Sequence, residues 1–464
     1  MGEYHHLRDW SDLEPNTRLL NMARIDPSES DAINMQMSTL HTNQERVKYI
    51  LSVMRDDAVL LEPPGQTLKS LHYSELYQRT ATQLFSDTNI SRRLDRTIDA
   101  YTKSIVFALP QSQTLALGYA NRSAALFTAG LYQDCLRDIE RALLLPYPDN
   151  LKSKLYARQA RCWMALRGDT NNYIDEISKA LQNTAEHLDQ LPESDATSLR
   201  MVIKILNDPE KMIPSKAVFK KWQAVDHMPR LADESTELKG VSSALKVQYN
   251  QQFGRHVIAT RDIKSGEVIA VMKPYANYLL PEKRLTHCDY CLEQTWSSVP
   301  CDICCQVVYC NEDCKTKACN EYHDIECKAA RRLIAQFMPY TTIFAMRLAI
   351  MAIKEAGSIR NLRKKVKALD KWKDPRTLGF TKGVLEMNYD SIYPSFQHCD
   401  KVSAKDHVHK ALLTSFILIA LAVKSDLFGK RFSSIREFYK DNDVTFIGGL
   451  LLKHHQIILT NMHP

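Results

Sequence analysis

The chain has 464 residues, 44% hydrophobic and 25% charged, an ordinary globular composition with apolar material for roughly two to four domains. Its net charge of +7 is too small to mark a nucleic-acid binder without a localised patch, so nucleic acid is not the expected partner. The opening Met1-Gly-Glu-Tyr-His-His6 carries neither a secretory nor a myristoylation signal, and the longest apolar run, Ala411–Val423, falls short of the roughly 20 residues of a membrane span. The expectation is a soluble protein of the cytoplasm and nucleus, where thiols stay reduced and Ala411–Val423 is a buried core helix.

Residues 1–66 are polar with scattered helical patterning and carry no assignable chemistry, and Pro63-Pro64-Gly65 is a break. Residues 67–191 read as helices that repeat. The stretch from Asp99 to Ile105 aligns with that from Gln133 to Ile139 at an offset of 34, and Asp138–Leu143 recurs loosely at Glu176–Leu181. Tyr119–Phe127 and Tyr156–Met164 read as first helices of successive pairs, with Gly130 at a turn. A period near 34 resembles tetratricopeptide (TPR) repeats, whose pairs bury their apolar faces only against neighbours. Residues 192–236 form a helical linker region containing Asn207-Asp-Pro209 and Pro214. After it, two β-rich runs flank Lys264-Ser265-Gly266, the pattern of strand, tight turn and strand. Residues 328–464 read as helical, including a cationic run from Arg360 to Lys373, a pattern that is usually a solvated helix face. The fold class expected is mostly α with a small β part.

Seven of the twelve cysteines fall between Cys288 and Cys314. Cys288-x2-Cys291 and Cys301-x2-Cys304 are knuckles that let two thiolates reach one ion, with zinc–sulfur bonds of about 2.3 Å. Cys310-x3-Cys314 and His323-x3-Cys327 have the spacing that places two ligands on one helix face. Eight ligands fill two closed tetrahedral sites, and closed sites are structural, because a catalytic zinc keeps a position for water. A redox Cys-x-x-Cys pair does not need four paired motifs in a row, and iron–sulfur ligation does not normally call for His323. Cys305 and Cys319 are spare thiols that could exchange into a site, and His287 reads as a bystander.

This spacing, with Tyr309 before Cys310, resembles the MYND zinc finger, here over residues 288–327. The resemblance implies interleaved sites, one of Cys288, Cys291, Cys310 and Cys314 and the other of Cys301, Cys304, His323 and Cys327, and a surface for proline-containing peptides. The gap from Cys314 to His323 is one residue longer than the common pattern. Phe253-Gly254-Arg255-His256, followed by Val-Ile-Ala-Thr-Arg-Asp-Ile-Lys-Ser-Gly-Glu, is similar to the opening of a SET domain, over residues 237–287. With repeats ahead of it, the whole resembles the TPR-bearing branch of the SET-and-MYND protein-lysine methyltransferases. That resemblance implies S-adenosylmethionine as cofactor, contacted by Phe253, Gly254 and Arg255 and, more loosely, by His398. It implies protein substrates and no membrane partner. The family's Asn-His-Ser-Cys segment is absent from the sequence, so no catalytic residue is assigned. Residues 328–464 are read as the helical insert of a SET domain whose C-terminal half is missing, and these 464 residues are expected to transfer little or no methyl. The alternative is a non-catalytic, zinc-dependent adaptor that joins TPR and MYND modules.

Overall fold

The computed structural model describes residues 19–20, 23, 25–54, 69–86, 94–167, 172–206, 229–335, 338–395 and 402–462. In chain order come helices α1 (Ser30–Thr39), α2 (Asn43–Val53), α3 (Leu71–Phe85), α4 (Leu94–Phe107), α5 (Gln113–Thr128), α6 (Tyr132–Leu143), α7 (Lys152–Arg167), α8 (Ile174–Glu186) and α9 (Glu193–Leu206). Strands β1 (Leu245–Asn250), β2 (Gly254–Ala259), β3 (Val299–Pro300) and β4 (Val308–Tyr309) follow. Helices α10 (Glu312–Ala318), α11 (Asp324–Ala335), α12 (Tyr340–Ala356), α13 (Ile359–Asp370), α14 (Tyr389–Ile392), α15 (Ala404–Lys424), α16 (Ile435–Lys440) and α17 (Asn442–Asn461) complete the chain, which is mostly α with a small β part. It divides into two compact units, one of Gln66–Val225 and Leu279–Lys317, the other of Met1–Gly65, Asp226–Tyr278 and Ala318–Pro464.

In the first unit, α3 with α4, α5 with α6 and α7 with α8 form three successive hairpins, and α4 against α5 and α6 against α7 join them. Ser70 and Ser112 start α3 and α5 by accepting hydrogen bonds from the amides of Tyr73 and Leu115. The core is built from one stripe of each helix, including Ile98, Tyr101 and Ile105 of α4, Leu126 of α5, Cys135 and Ile139 of α6 and Leu155 and Cys162 of α7. The middle hairpin, α5 with α6, is buried against its neighbours on both sides, so the apolar faces are covered by adjacent pairs.

In the second unit, α1 and α2 of the N-terminal segment pack on α15 and α17, which lie more than 350 residues away in sequence. Val47, Ile50 and Leu51 of α2 are fully buried there. Two adjacent glycines of α17 permit the approach. A β-carbon at Gly448 would stand 2.7 Å from both Val47 Cγ1 and Leu418 Cδ1, and one at Gly449 2.5 Å from Gln44 Cγ. Gly448→Val is therefore expected to overpack this contact and to cost about 1–3 kcal/mol, read as a lowered thermal midpoint with unchanged zinc content. Helix α15, which holds the Ala411–Val423 run, is the one helix among the described residues long and apolar enough to cross a membrane, and 72% of its most apolar window is buried inside the protein.

Helix α17 also buries His454 and His455. Burial, and next the charge of Lys453, pushes the His454 pKa down to about 3, and its Nε2 lies 2.8 Å from the Tyr389 hydroxyl. Burial, then Lys410 and His409, pushes His455 down to about 4. An unfolded histidine titrates near about 6.5, so below that pH the unfolded chain takes up protons that the folded one refuses. Stability is expected to be lost as pH falls from about 6.5 towards 4, by about 1.4 kcal/mol per pH unit per histidine. Thermal midpoints of the protein and of His454→Gln/His455→Gln between pH 7.5 and 5 check this; parallel curves would disprove it.

Strands β1 and β2 pair antiparallel, from Leu245 opposite Ala259 to Asn250 opposite Gly254. This corrects the hairpin expected around Lys264-Ser265-Gly266. Those residues do turn, with Gly266 at φ +80 and Glu267 N donating to Lys264 O. The arm beyond them, however, bonds to residues 240–242, through Val271 N to Gly240 O (2.8 Å) and Ser242 N to Ile269 O (2.9 Å). The second arm thus pairs with the segment ahead of β1 and not with β2.

Candidate metal centre

The sulfur-rich segment is ordered around a very short hairpin. Val299 and Pro300 pair with Tyr309 and Val308, and all four are buried. The hairpin turns the Cys301–Cys304 knuckle over, and Cys310 leaves from its far end one residue after β4. Helix α10 carries Cys314, held at its start by the Asn311 side chain, which accepts from the Cys314 amide at 2.8 Å.

The eight predicted ligands gather into two groups, Cys288, Cys291, Cys310 and Cys314 in one and Cys301, Cys304, His323 and Cys327 in the other. Within each, the ligand atoms lie within 4.8 Å of one another. In the first group the sulfurs of Cys291 and Cys310 are 3.8 Å apart and those of Cys310 and Cys314 3.4 Å. A tetrahedron with zinc–sulfur bonds of about 2.3 Å has edges of about 3.8 Å, so the group fits the ion. The electrostatics point the same way. Hydrogen bonds from Cys291 and Cys310 draw the Cys288 thiol down to about 2, while the same hydrogen bonds, and less so the charge left on Cys288, push Cys291 and Cys310 up. Four crowded thiols share one negative charge comfortably; a dication lets all four ionise. The second group offers three thiolates and a neutral imidazole, a Cys3His set typical of structural zinc.

The spare thiols separate cleanly. Cys305 turns away from the second group, and its Sγ–H donates to Val106 O at 3.4 Å. It packs with Val106 and Val308, and burial holds its pKa up at about 11. Cys319 belongs to neither group and opens a π-helical turn, Cys319–His323, between α10 and α11. A π turn absorbs one extra residue in a helix, which is where the longer Cys314–His323 spacing goes. His287 stands aside from both groups, its Nδ1 2.9 Å from Thr286 Oγ1.

Two buried arginines that sequence reading missed support the segment. In the repeat unit, Arg122 of α5 is fully buried and all five of its N–H groups are used. Nε and Nη2 grip Asp138 of α6 at 2.7 and 2.9 Å, Nη1 reaches Thr102 Oγ1 (3.1 Å) and Ser298 Oγ (3.2 Å), and Nη2 reaches Ser298 O (2.7 Å). Arg141 of α6 adds bonds to Ser297 O (2.6 Å) and Oγ (2.8 Å), and Ser297 Oγ returns one to Asp138 at 3.0 Å. Ser297 and Ser298 lie directly before β3, so the repeats hold the cysteine segment by buried, charge-assisted bonds. Lys69, also buried, donates to Val106 O at 2.6 Å; burial holds its pKa below the usual lysine range, and the nearby Cys305, Cys301 and Cys304 oppose that shift. In the other unit, Arg347 of α12 forks onto Glu326 (2.8 Å twice) and stacks 4.1 Å from the Tyr322 ring centroid. Glu326 and Tyr322 are the neighbours of Cys327 and His323, so this pair fixes the helix that presents them.

Of the residues expected to meet a cofactor, Gly254 starts β2 at φ +62, and a β-carbon there would meet nothing within 4 Å. Phe253 is 67% exposed. The Arg255 guanidinium is spent on the Leu378 carbonyl. His398 lies outside the described residues.

No family model matches the sequence. Among curated proteins the chain is similar to mouse protein-lysine N-methyltransferase SMYD4, 27% identical over 258 residues that cover 50% of this chain and 32% of that protein. It is similar to the zebrafish protein of the same name, 30% identical over 250 residues, 51% of this chain and 27% of that protein. A SET and MYND domain-containing protein of Dictyostelium discoideum is 34% identical over 95 residues, 20% of this chain and 25% of that protein. The match spans about a third of the length of the SMYD4 relatives. Two four-ligand groups built on interleaved knuckles, behind a glycine-led strand pair, accord with this likeness to the SET-and-MYND-domain proteins.

Proposed function

We propose that the protein is a protein-lysine N-methyltransferase, moving a methyl group from S-adenosylmethionine to a lysine of a protein substrate, with two structural zinc ions. The observation that carries this is the pair of closed ligand groups in a chain similar to proteins named for that activity. The transfer forms a carbon–nitrogen bond as a carbon–sulfur bond breaks, so the lysine must arrive as the neutral amine and its proton must leave. In this chain the backbone around Gly254 supports the cofactor reading, because it is open to close approach and glycine removes the side chain that would obstruct it. Titration calorimetry with S-adenosylmethionine tests binding, and transfer of labelled methyl to protein lysines tests the reaction. Binding that Gly254→Val abolishes at unchanged zinc content supports the reading; no cofactor binding by the zinc-loaded protein would sink it.

A second reading, a zinc-dependent adaptor for proline-containing peptides working in cytoplasm and nucleus, draws on the repeats and Ser297–Ser298 sharing one buried network in one compact unit. Retention of proline-rich peptides that is lost on chelation would favour it.

A further inference from the structure

Helix α13 separates cations that are used from cations that are not. Ile359, Leu362, Val366 and Leu369 are buried on one face. On its flanks, Arg363 pairs with Asp443 (2.5 Å), and Lys365 with Glu355 (2.9 Å) and Asp390 (3.1 Å). Arg360, Lys364, Lys367 and Lys371 recur one or two turns apart, within an arc of about 60° opposite the buried face and over about 16 Å of axis. All four are exposed, as is Lys373, and none of the five forms an ion pair among the described residues. Between Lys371 and Lys373 stands Trp372, 48% exposed, with its indole Nε1 donating to Thr377 Oγ1 at 3.2 Å.

We propose that this stripe binds single-stranded nucleic acid, the cations tracking the phosphates and the Trp372 ring stacking a base. Five like charges, each closer to the next than the screening length, favour a polyanion, the neighbouring carboxylates of Asp370 and Asp374 being held by the hydroxyls of Tyr393 (2.8 Å) and Thr377 (2.6 Å). A membrane surface fits poorly, because an interfacial helix inserts its apolar face and α13 has spent that face on the core. An acidic peptide would neutralise the lysines but leave the fixed indole plane idle, whereas every base offers a face to it.

Fluorescence anisotropy with labelled oligouridine and oligothymidine of about 20 nucleotides, using the zinc-loaded chain, tests this. With four or five phosphate contacts, log affinity should fall against log salt with a slope of about −3. Lys364→Glu/Lys367→Glu/Lys371→Glu should weaken binding more than tenfold and flatten that slope. Trp372→Ala should weaken it about tenfold with the slope kept. Comparison of the two oligomers shows whether RNA or DNA is preferred, and either preference fits the proposal. Absence of binding at about 50 mM salt, or binding untouched by the charge reversals in variants with unchanged melting and zinc content, would overturn it. Displacement by polyglutamate with Trp372→Ala silent would overturn it in favour of an acidic protein partner.

Discussion

Replacing Cys304 with serine is expected to cost the protein one of its two zinc equivalents, whereas the same change at the adjacent Cys305 leaves both. The two thiols are neighbours and both are buried, yet only Cys304 joins Cys301, His323 and Cys327 within 4.8 Å. A structural zinc contributes on the order of 10 kcal/mol to a small module, so one of four ligands is worth roughly a quarter of that, about a hundredfold in metal affinity. At Cys305 a serine hydroxyl can keep the bond that the thiol gives to Val106 O, so the change should cost less than about 1 kcal/mol. Zinc content of the purified variants, with release timed against a chromophoric chelator, reads both effects. The opposite pattern, Cys305→Ser losing a zinc and Cys304→Ser keeping two, would exchange the ligand assignment.

Arg122→Met is expected to destabilise the repeat unit by about 3–5 kcal/mol, the cost of leaving a buried carboxylate without its principal partner. Asp138 is fully buried, and without Arg122 it keeps only Arg141 at 3.2 Å and the Ser297 hydroxyl at 3.0 Å. Ser298 loses its partner at the same time, so its amide neighbourhood should exchange hydrogen faster, as should α4 to α6. A unit of this size loses about 2–4 °C of thermal midpoint per kcal/mol, so the expected drop is roughly 6–20 °C. Removing both charges, as Arg122→Met/Asp138→Leu, should recover part of it, because two apolar groups leave nothing unpaired. A single variant melting within about 2 °C of the parent would show that the network is dispensable.

These predictions differ in how far the sequence alone leads to them. Knuckle spacing fixes which cysteines can bite one ion, because a two-residue loop and a single helical turn are local geometries, and all eight ligands could be named from it. Helical periodicity likewise located the hairpins from Leu71 to Glu186, since an amphipathic stripe is written within one helix. The choice between Cys304 and Cys305 was not local: it turns on Val106, 199 residues earlier, whose carbonyl takes the Cys305 thiol. Arg122 reads in sequence as one more polar residue in a repeat, because its acceptors come from α4, α6 and the segment before β3. The N-terminal helices, to which no chemistry could be assigned, found their place only through the bare backbone of Gly448 and Gly449. The two strand-like runs around Gly266 were visible, but their partners, β1 for one and residues 240–242 for the other, lie outside the run itself. The sequence by itself set out the eight candidate ligands, the helical hairpins and the family resemblance, all by short-range spacing. Tertiary structure decided which thiol is spare, which arginines are buried and which lysines are left unpaired. Each of those depends on groups far apart in the chain meeting out of water.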